Sequence, residues 1–102
     1  MASISWTETA QNDLAEIHKH IRKQSLVQAE LVVVKIIEKT ETLERFPEMG
    51  KPVKEFPDKQ YRELLVKGYR VIDKIVGDTV HVMTVNHAAR LLENNPAFKD
   101  EN

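Results

Sequence analysis

The sequence predicts an α+β domain: an N-terminal strand, an antiparallel helical hairpin packed on one face of a small, mainly antiparallel sheet, and a short C-terminal helix. Three observations carry that expectation. Apolar residues recur at helical spacing from Ala10 to Leu43, prolines and Gly50 crowd residues 47 to 57, and two isolated Gly-centred turns divide β-rich runs between Tyr61 and His87. The resulting order is β-α-α-β-β-β. A chain of 102 residues has room for one hydrophobic core, so residues 1–102 are read as a single domain.

Taken in order, Ala2 to Trp6 alternates small or polar residues with Ile4 and Trp6, a strand pattern that stops at Thr7-Glu8. Thr7 can accept from the free N–H groups of a helix start, and Glu8 suits its positive end. From Ala10 the apolar positions Leu14, Ile17 and Ile21 follow at spacings of four, three and four, which describes a one-sided helix ending near Gln24. Ser25 three residues before Gln28 has the spacing of a capping box and restarts the chain as a second helix. Its run of Val and Ile resembles a strand, but Ala29, Val33, Ile36, Thr40 and Leu43 continue a helical stripe through Phe46. Almost nothing joins the helices, so they form a hairpin. Pro47, Gly50, Pro52 and Pro57 then exclude regular structure and predict a surface loop. The closing FKDEN reads as a solvated tail.

Lys67-Gly68 and Gly77-Asp78 are the two-residue turns that set the sheet register. Val66 then faces Tyr69 and Arg62 faces Asp73 as an opposite-charge pair, while Val76 faces Thr79 and Asp73 faces Val82. Alternation places Leu64, Val66, Tyr69, Val71, Ile75, Val80 and Val82 on one face, which is the more apolar and is expected to receive the helices. Tyr61, Glu63, Leu65, Arg70, Ile72, Lys74, Val76, His81, Met83, Val85 and His87 fall on the other. That second face gathers ionisable groups and reads as a working surface.

Composition excludes several classes of function. The chain is 41% hydrophobic and 30% charged, with a net charge of −1, so it is neither disordered nor a polyelectrolyte partner for nucleic acid. It has no cysteine, and no signal peptide or membrane span is visible, which points to the cytoplasm. His18 and His20 lie on different sides of a helix, and His81 and His87 are about 20 Å apart along a strand, so no metal site is expected. Isolated glycines provide no phosphate loop, and no cofactor is expected. Glu63, Arg70 and His87, with Arg90 nearby, remain as candidate chemistry. A guanidinium fork suits phosphate or carboxylate, an imidazole moves protons near neutral pH, and a carboxylate can act as a base. These types suit phosphodiester cleavage, and equally a protein interface.

The arrangement resembles the RelE/ParE superfamily of bacterial type II toxins over nearly the whole chain. The resemblance rests on Trp6-Thr7, on Ala10, Asp13-Leu14 and Ile17, on LERFPEMGKPV, and most specifically on YRELLVKGYRVI and VNHAARLL. It implies a growth-inhibiting toxin neutralised by a small antitoxin encoded beside it, in a toxin-antitoxin hetero-oligomer. The target is DNA gyrase in the ParE branch; the RelE branch instead consists of ribosome-dependent messenger-RNA endonucleases. Tyr61 and Glu63 stand where the best-known nucleases have catalytic lysines, Asp73-Lys74 replaces a frequent Tyr-Arg, and Pro96 stands at the position of a late tyrosine. Arg70 and Arg90 match nuclease positions, and Glu63 with His87 matches a His-and-Glu variant. The departures and the low charge favour the ParE-like reading. Under it, Leu65, Arg70, Ile72, Lys74, Met83, Val85, His87 and Arg90 are expected to meet the antitoxin or the target. Asn86 would cap the last helix, and Leu91, Leu92 and the chain to Phe98 would extend the gyrase-docking edge from Arg90.

Overall fold

The computed structural model describes the backbone of residues 1–101 and the side chains of residues 1–98. Strand β1 (Ser3–Trp6) leads into helices α1 (Glu8–Arg22) and α2 (Leu26–Glu41). A two-residue strand β2 (Lys51–Pro52) precedes β3 (Tyr61–Val66), β4 (Tyr69–Val76) and β5 (Thr79–His87). The sheet is five-stranded in the order β1-β5-β4-β3-β2, with β1 parallel to β5 and the other neighbours antiparallel. Among the described residues no helix is long and apolar enough to cross a membrane.

Both helix starts form as their sequences predict. Thr7 accepts the Ala10 N–H at 3.1 Å, and Ser25 accepts the Gln28 N–H at 3.1 Å, so each hydroxyl satisfies a donor that the first helical turn leaves free. The buried stripe is the predicted one, from Ala10 and Ile17 in α1 to Ala29, Ile36 and Thr40 in α2. Helix α2 stops at Glu41 rather than Phe46, and a tighter 3₁₀ turn over Thr42–Glu44 keeps Leu43 buried while leaving Phe46 exposed. The two hairpins have the predicted turns. Lys67 and Gly68 adopt φ of 52° and 82°, a left-handed pair whose twist matches that of the strands it joins.

One core lies between the hairpin and the sheet, where Ala10, Ile17, Ile36 and Leu43 meet Leu64, Val66, Val71, Val80 and Val82. A second core covers the opposite face of the sheet. It joins Val53 and Phe56 from the proline-rich loop, Tyr61 and Ile72 from the strands, and Leu92 and Phe98 from the end of the chain. This corrects three expectations. The loop from 47 to 57 is no mere surface loop, since it contributes β2 and two buried side chains, with Pro52 at the sheet edge where its missing N–H costs no ladder bond. Phe98, at the head of the supposed tail, is fully buried; the solvated reading of residues 99–102 lies outside the described side chains. The short C-terminal helix forms as 3₁₀ helices at Leu92–Asn94 and Pro96–Glu101, later than expected, and Asn86 belongs to β5 rather than capping it.

The register departs from simple alternation at one place. Asp73 pairs with Val82, but Ile72 pairs with Thr84, leaving Met83 as the extra residue of a β-bulge. The bulge sits where β1 ends and α1 begins: Thr7 donates its N–H to the Val82 carbonyl at 3.1 Å and its hydroxyl to the Met83 carbonyl at 3.0 Å. Beyond it every β5 side chain changes face. Val85 therefore enters the helix-side core, and His87 faces Tyr69 on that same side.

Candidate functional site

The bulge splits the predicted cluster in two. Glu63 and Arg70 stay together on the face opposite the helices, because β3 and β4 keep their predicted register. His87 goes to the other side, where its ring meets that of Tyr69 edge-on with centroids 5.6 Å apart. Arg90 lies in an exposed turn after β5 and shares a groove with His87.

Arg70 is buried, and four of its five N–H donors are taken by carboxylates. Its Nη1 and Nη2 donate to the two oxygens of Glu55 at 2.7 and 2.8 Å, and its Nε donates to Glu63 Oε2 at 2.8 Å, with a further bond from Nη2 to the same oxygen. The side chains of Arg70, Glu55 and Glu63 are 8%, 6% and 12% exposed, so the cation and both carboxylates are largely removed from water. The Lys51 ammonium, 3.8 Å from Glu63, offsets the second negative charge from the solvent side. Hydrogen bonds from Arg70 hold the Glu55 carboxyl down at about 2, against the opposing effect of burial. The same bonds raise the guanidinium further above its ordinary value. A fork with its donors occupied by protein carboxylates does not present itself to a phosphate.

The expected apolar contacts divide likewise. Leu65 is 64% exposed on β3 beside this network, whereas Ile72 is fully buried in the second core and Val85 is only 4% exposed in the first. Ile72 and Val85 are thus withdrawn from the surface, the one by the folded-back chain end and the other by the bulge. Met83 packs half-buried against the second core, and Lys74, opposite Tyr61 and His81, is half-buried at the far end of β4. Leu91 is exposed, but Leu92 is buried and serves the fold.

Several residues that matter here escaped the sequence reading. Glu55 sits in the proline-rich loop, where no periodicity announces a partner for Arg70. Asp13 accepts the Thr84 hydroxyl and, at 3.0 Å, the Val85 N–H. Its position between Ala10 and Leu14, at the rim of the apolar stripe, was the available signal. Asp73 is fully buried and neither carboxylate oxygen has a hydrogen-bond partner. Arg62 faces it across the strands as predicted but does not pair with it, and donates instead to the Gly50 carbonyl at 3.0 Å. Burial pushes the Asp73 carboxyl up to about 7, with the Arg62 charge opposing.

Residues 4–92 match the family described as ParE toxin of type II toxin-antitoxin system, parDE. Among solved structures the chain is similar to the chromosomal ParDE toxin-antitoxin system from P. aeruginosa, at 21% identity and a TM-score of 0.75, over 85% of this chain and 96% of that one. It is also similar to the RelBE2 toxin-antitoxin complex from Mycobacterium tuberculosis, at 22% identity and a TM-score of 0.62, over 84% and 96% of the two chains. The intact E. coli RelBE complex aligns at 16% identity with a TM-score of 0.60, over 88% of this chain and all of that one (100%). No curated protein matches the chain. At these identities the structural likenesses speak for the fold.

Proposed function

Because the chain belongs to the ParE toxin family of type II toxin-antitoxin systems, we propose that it arrests growth by docking on DNA gyrase in the cytoplasm and is held inactive by a cognate antitoxin. The observation that carries this reading is the state of Arg70. A nuclease built on Glu63, Arg70, His87 and Arg90 would need a free guanidinium to stabilise charge on phosphorus and a free carboxylate or imidazole to take a proton. Arg70 is instead bonded to both Glu63 and Glu55, and Lys51 offsets the remaining negative charge. His87 lies on the opposite side of the sheet, against Tyr69. Surface recognition asks none of this of them, and Arg90, Leu91 and Leu65 remain exposed for it.

Induction of the chain in cells, followed by assays of plasmid supercoiling and messenger-RNA integrity, tests the proposal. Loss of negative supercoiling with intact messages is expected, together with inhibition of purified gyrase. Codon-dependent cleavage of messages on ribosomes, with gyrase unaffected, would replace this reading by the RelE-like one.

A further inference from the structure

The backbone of β5 has an outer edge that the chain itself leaves open. Residues flanking a two-residue hairpin turn exchange both of their backbone hydrogen bonds, as Val66 with Tyr69 and Val76 with Thr79 do. Counting from these, Arg70 and Ile72 bond to β5, so their partners Asn86 and Thr84 turn their backbone groups towards β4. The Ala88 N–H, which reaches the Gly68 carbonyl at 2.8 Å, continues the series. Val85 and His87 therefore point their N–H and C=O groups away from β4, towards the place that β1 vacates after Trp6.

Half of these outward groups are already used. The Val85 N–H donates to Asp13 at 3.0 Å, and the His87 carbonyl accepts from the Arg90 N–H at 2.9 Å. Among the described residues the Val85 carbonyl and the His87 N–H have no partner. They flank Asn86, whose side-chain Nδ2 is buried without an acceptor in the same wall. An antiparallel strand would need both groups of a single residue, and Val85 and His87 each have only one left. A parallel strand needs just what remains: one incoming residue donates its N–H to the first residue's carbonyl and accepts from the N–H two residues on. Parallel is also the sense in which β1 already runs.

We propose that residues 85–87 of β5 accept a short extended segment of the antitoxin, paired parallel to β5 in the groove of about 560 Å³ between α1 and the C-terminal turn. This rests on the antitoxin-regulated reading given above. Charge names the segment's chemistry. Arg90 is the permanent cation lining the groove, with Asp13 and Glu16 on its α1 wall. A parallel segment passes Arg90 after its bridging residue, so an acidic side chain one or two positions later meets that guanidinium.

The test is amide hydrogen exchange on the full chain, alone and in complex with the protein encoded by the neighbouring short reading frame, joined to binding measurements on His87→Pro and His87→Ala. Proline removes the outward N–H, which supports nothing within the fold, whereas alanine removes only the imidazole. Binding should slow exchange of the His87 amide, and His87→Pro should bind at least about tenfold more weakly than His87→Ala, the loss of about 1.4 kcal/mol. Circular dichroism checks that both variants fold, and the wild-type exchange result stands whether or not they do. A complex in which the His87 amide exchanges as fast as in the free chain overturns the edge proposal and leaves the antitoxin reading standing. Failure to form any complex overturns both. Protection that appears in the free chain on concentration, together with a dimer mass, would give the edge to a second copy of this chain and overturn the proposal.

Discussion

Arg70 stands between two largely buried carboxylates, bonded to Glu55 through both carboxylate oxygens and sharing Glu63 with Lys51. Removing it strands Glu55 and leaves Glu63 with Lys51 alone, so Arg70→Ala should cost about 3–5 kcal/mol in urea denaturation, typical of breaking a buried ion pair from one side. Glu55 adds a pH signature. Its folded value of about 2 lies below the ordinary carboxyl value of about 4.3. Its contribution is therefore complete above that ordinary value and is lost as pH falls from about 4 towards 2. The stability difference between wild type and Glu55→Gln should shrink across that window. Asp73 has the opposite sign. Its folded value of about 7 lies above the ordinary value of about 3.9, so the cost of its charge is absent at pH 4, grows as pH rises and levels off above 7. Asp73→Asn should gain melting temperature relative to wild type between pH 4 and 7, with little further gain beyond. Equal slopes for the two proteins in that window would contradict the buried, unpartnered carboxylate.

Between elements, the consequential event is the bulge at Met83, and it shows where the sequence stops being informative. Thr7, Ser25, Lys67-Gly68 and Gly77 act within a few residues of themselves, so their caps and turns were legible, and with them the hairpin, the three long strands and the pairing of Glu63 with Arg70 on one face. The bulge depends on where β1 ends against β5 and on Asp13 reaching Val85 from another element, which no local pattern encodes. For the same reason simple alternation puts Val85 and His87 on the wrong face. The second core is a further long-range construction: Phe98 lies 5.1 Å from the ring of Phe56 and 4.9 Å from that of Tyr61, across more than thirty positions of chain. Phe98→Ala should cost about 3–5 kcal/mol, the range for a phenylalanine removed from a packed interior. A loss under about 1 kcal/mol in denaturant titration would mean that the chain end does not close this face.

At the scale of the molecule, one sheet separates two cores, and the chain end that seals the second also presents the turn that carries Arg90 and Leu91. Any docking edge that begins at Arg90 cannot run on through Leu92 to Phe98 as the sequence predicts. Leu92 and Phe98 are fully buried, and truncation after His87 would expose Phe56, Tyr61 and Ile72 rather than merely trim a surface. Such a truncate confounds stability with recognition, whereas single substitutions in the exposed turn do not. Arg90 is exposed and its N–H bond to the His87 carbonyl survives any side-chain change short of proline; Leu91 is 56% exposed. Arg90→Ala and Leu91→Ala should each leave the melting temperature within about 4 °C of wild type, since exposed substitutions rarely shift stability by more than about 0.5 kcal/mol. If this turn docks on gyrase, Arg90→Ala should weaken inhibition of supercoiling about tenfold or more, as loss of a charge-assisted contact of about 1–3 kcal/mol requires. Full inhibition by both variants and by the double substitution would move the gyrase contact elsewhere, and exposed Leu65 on the β3 edge would be the next surface to probe.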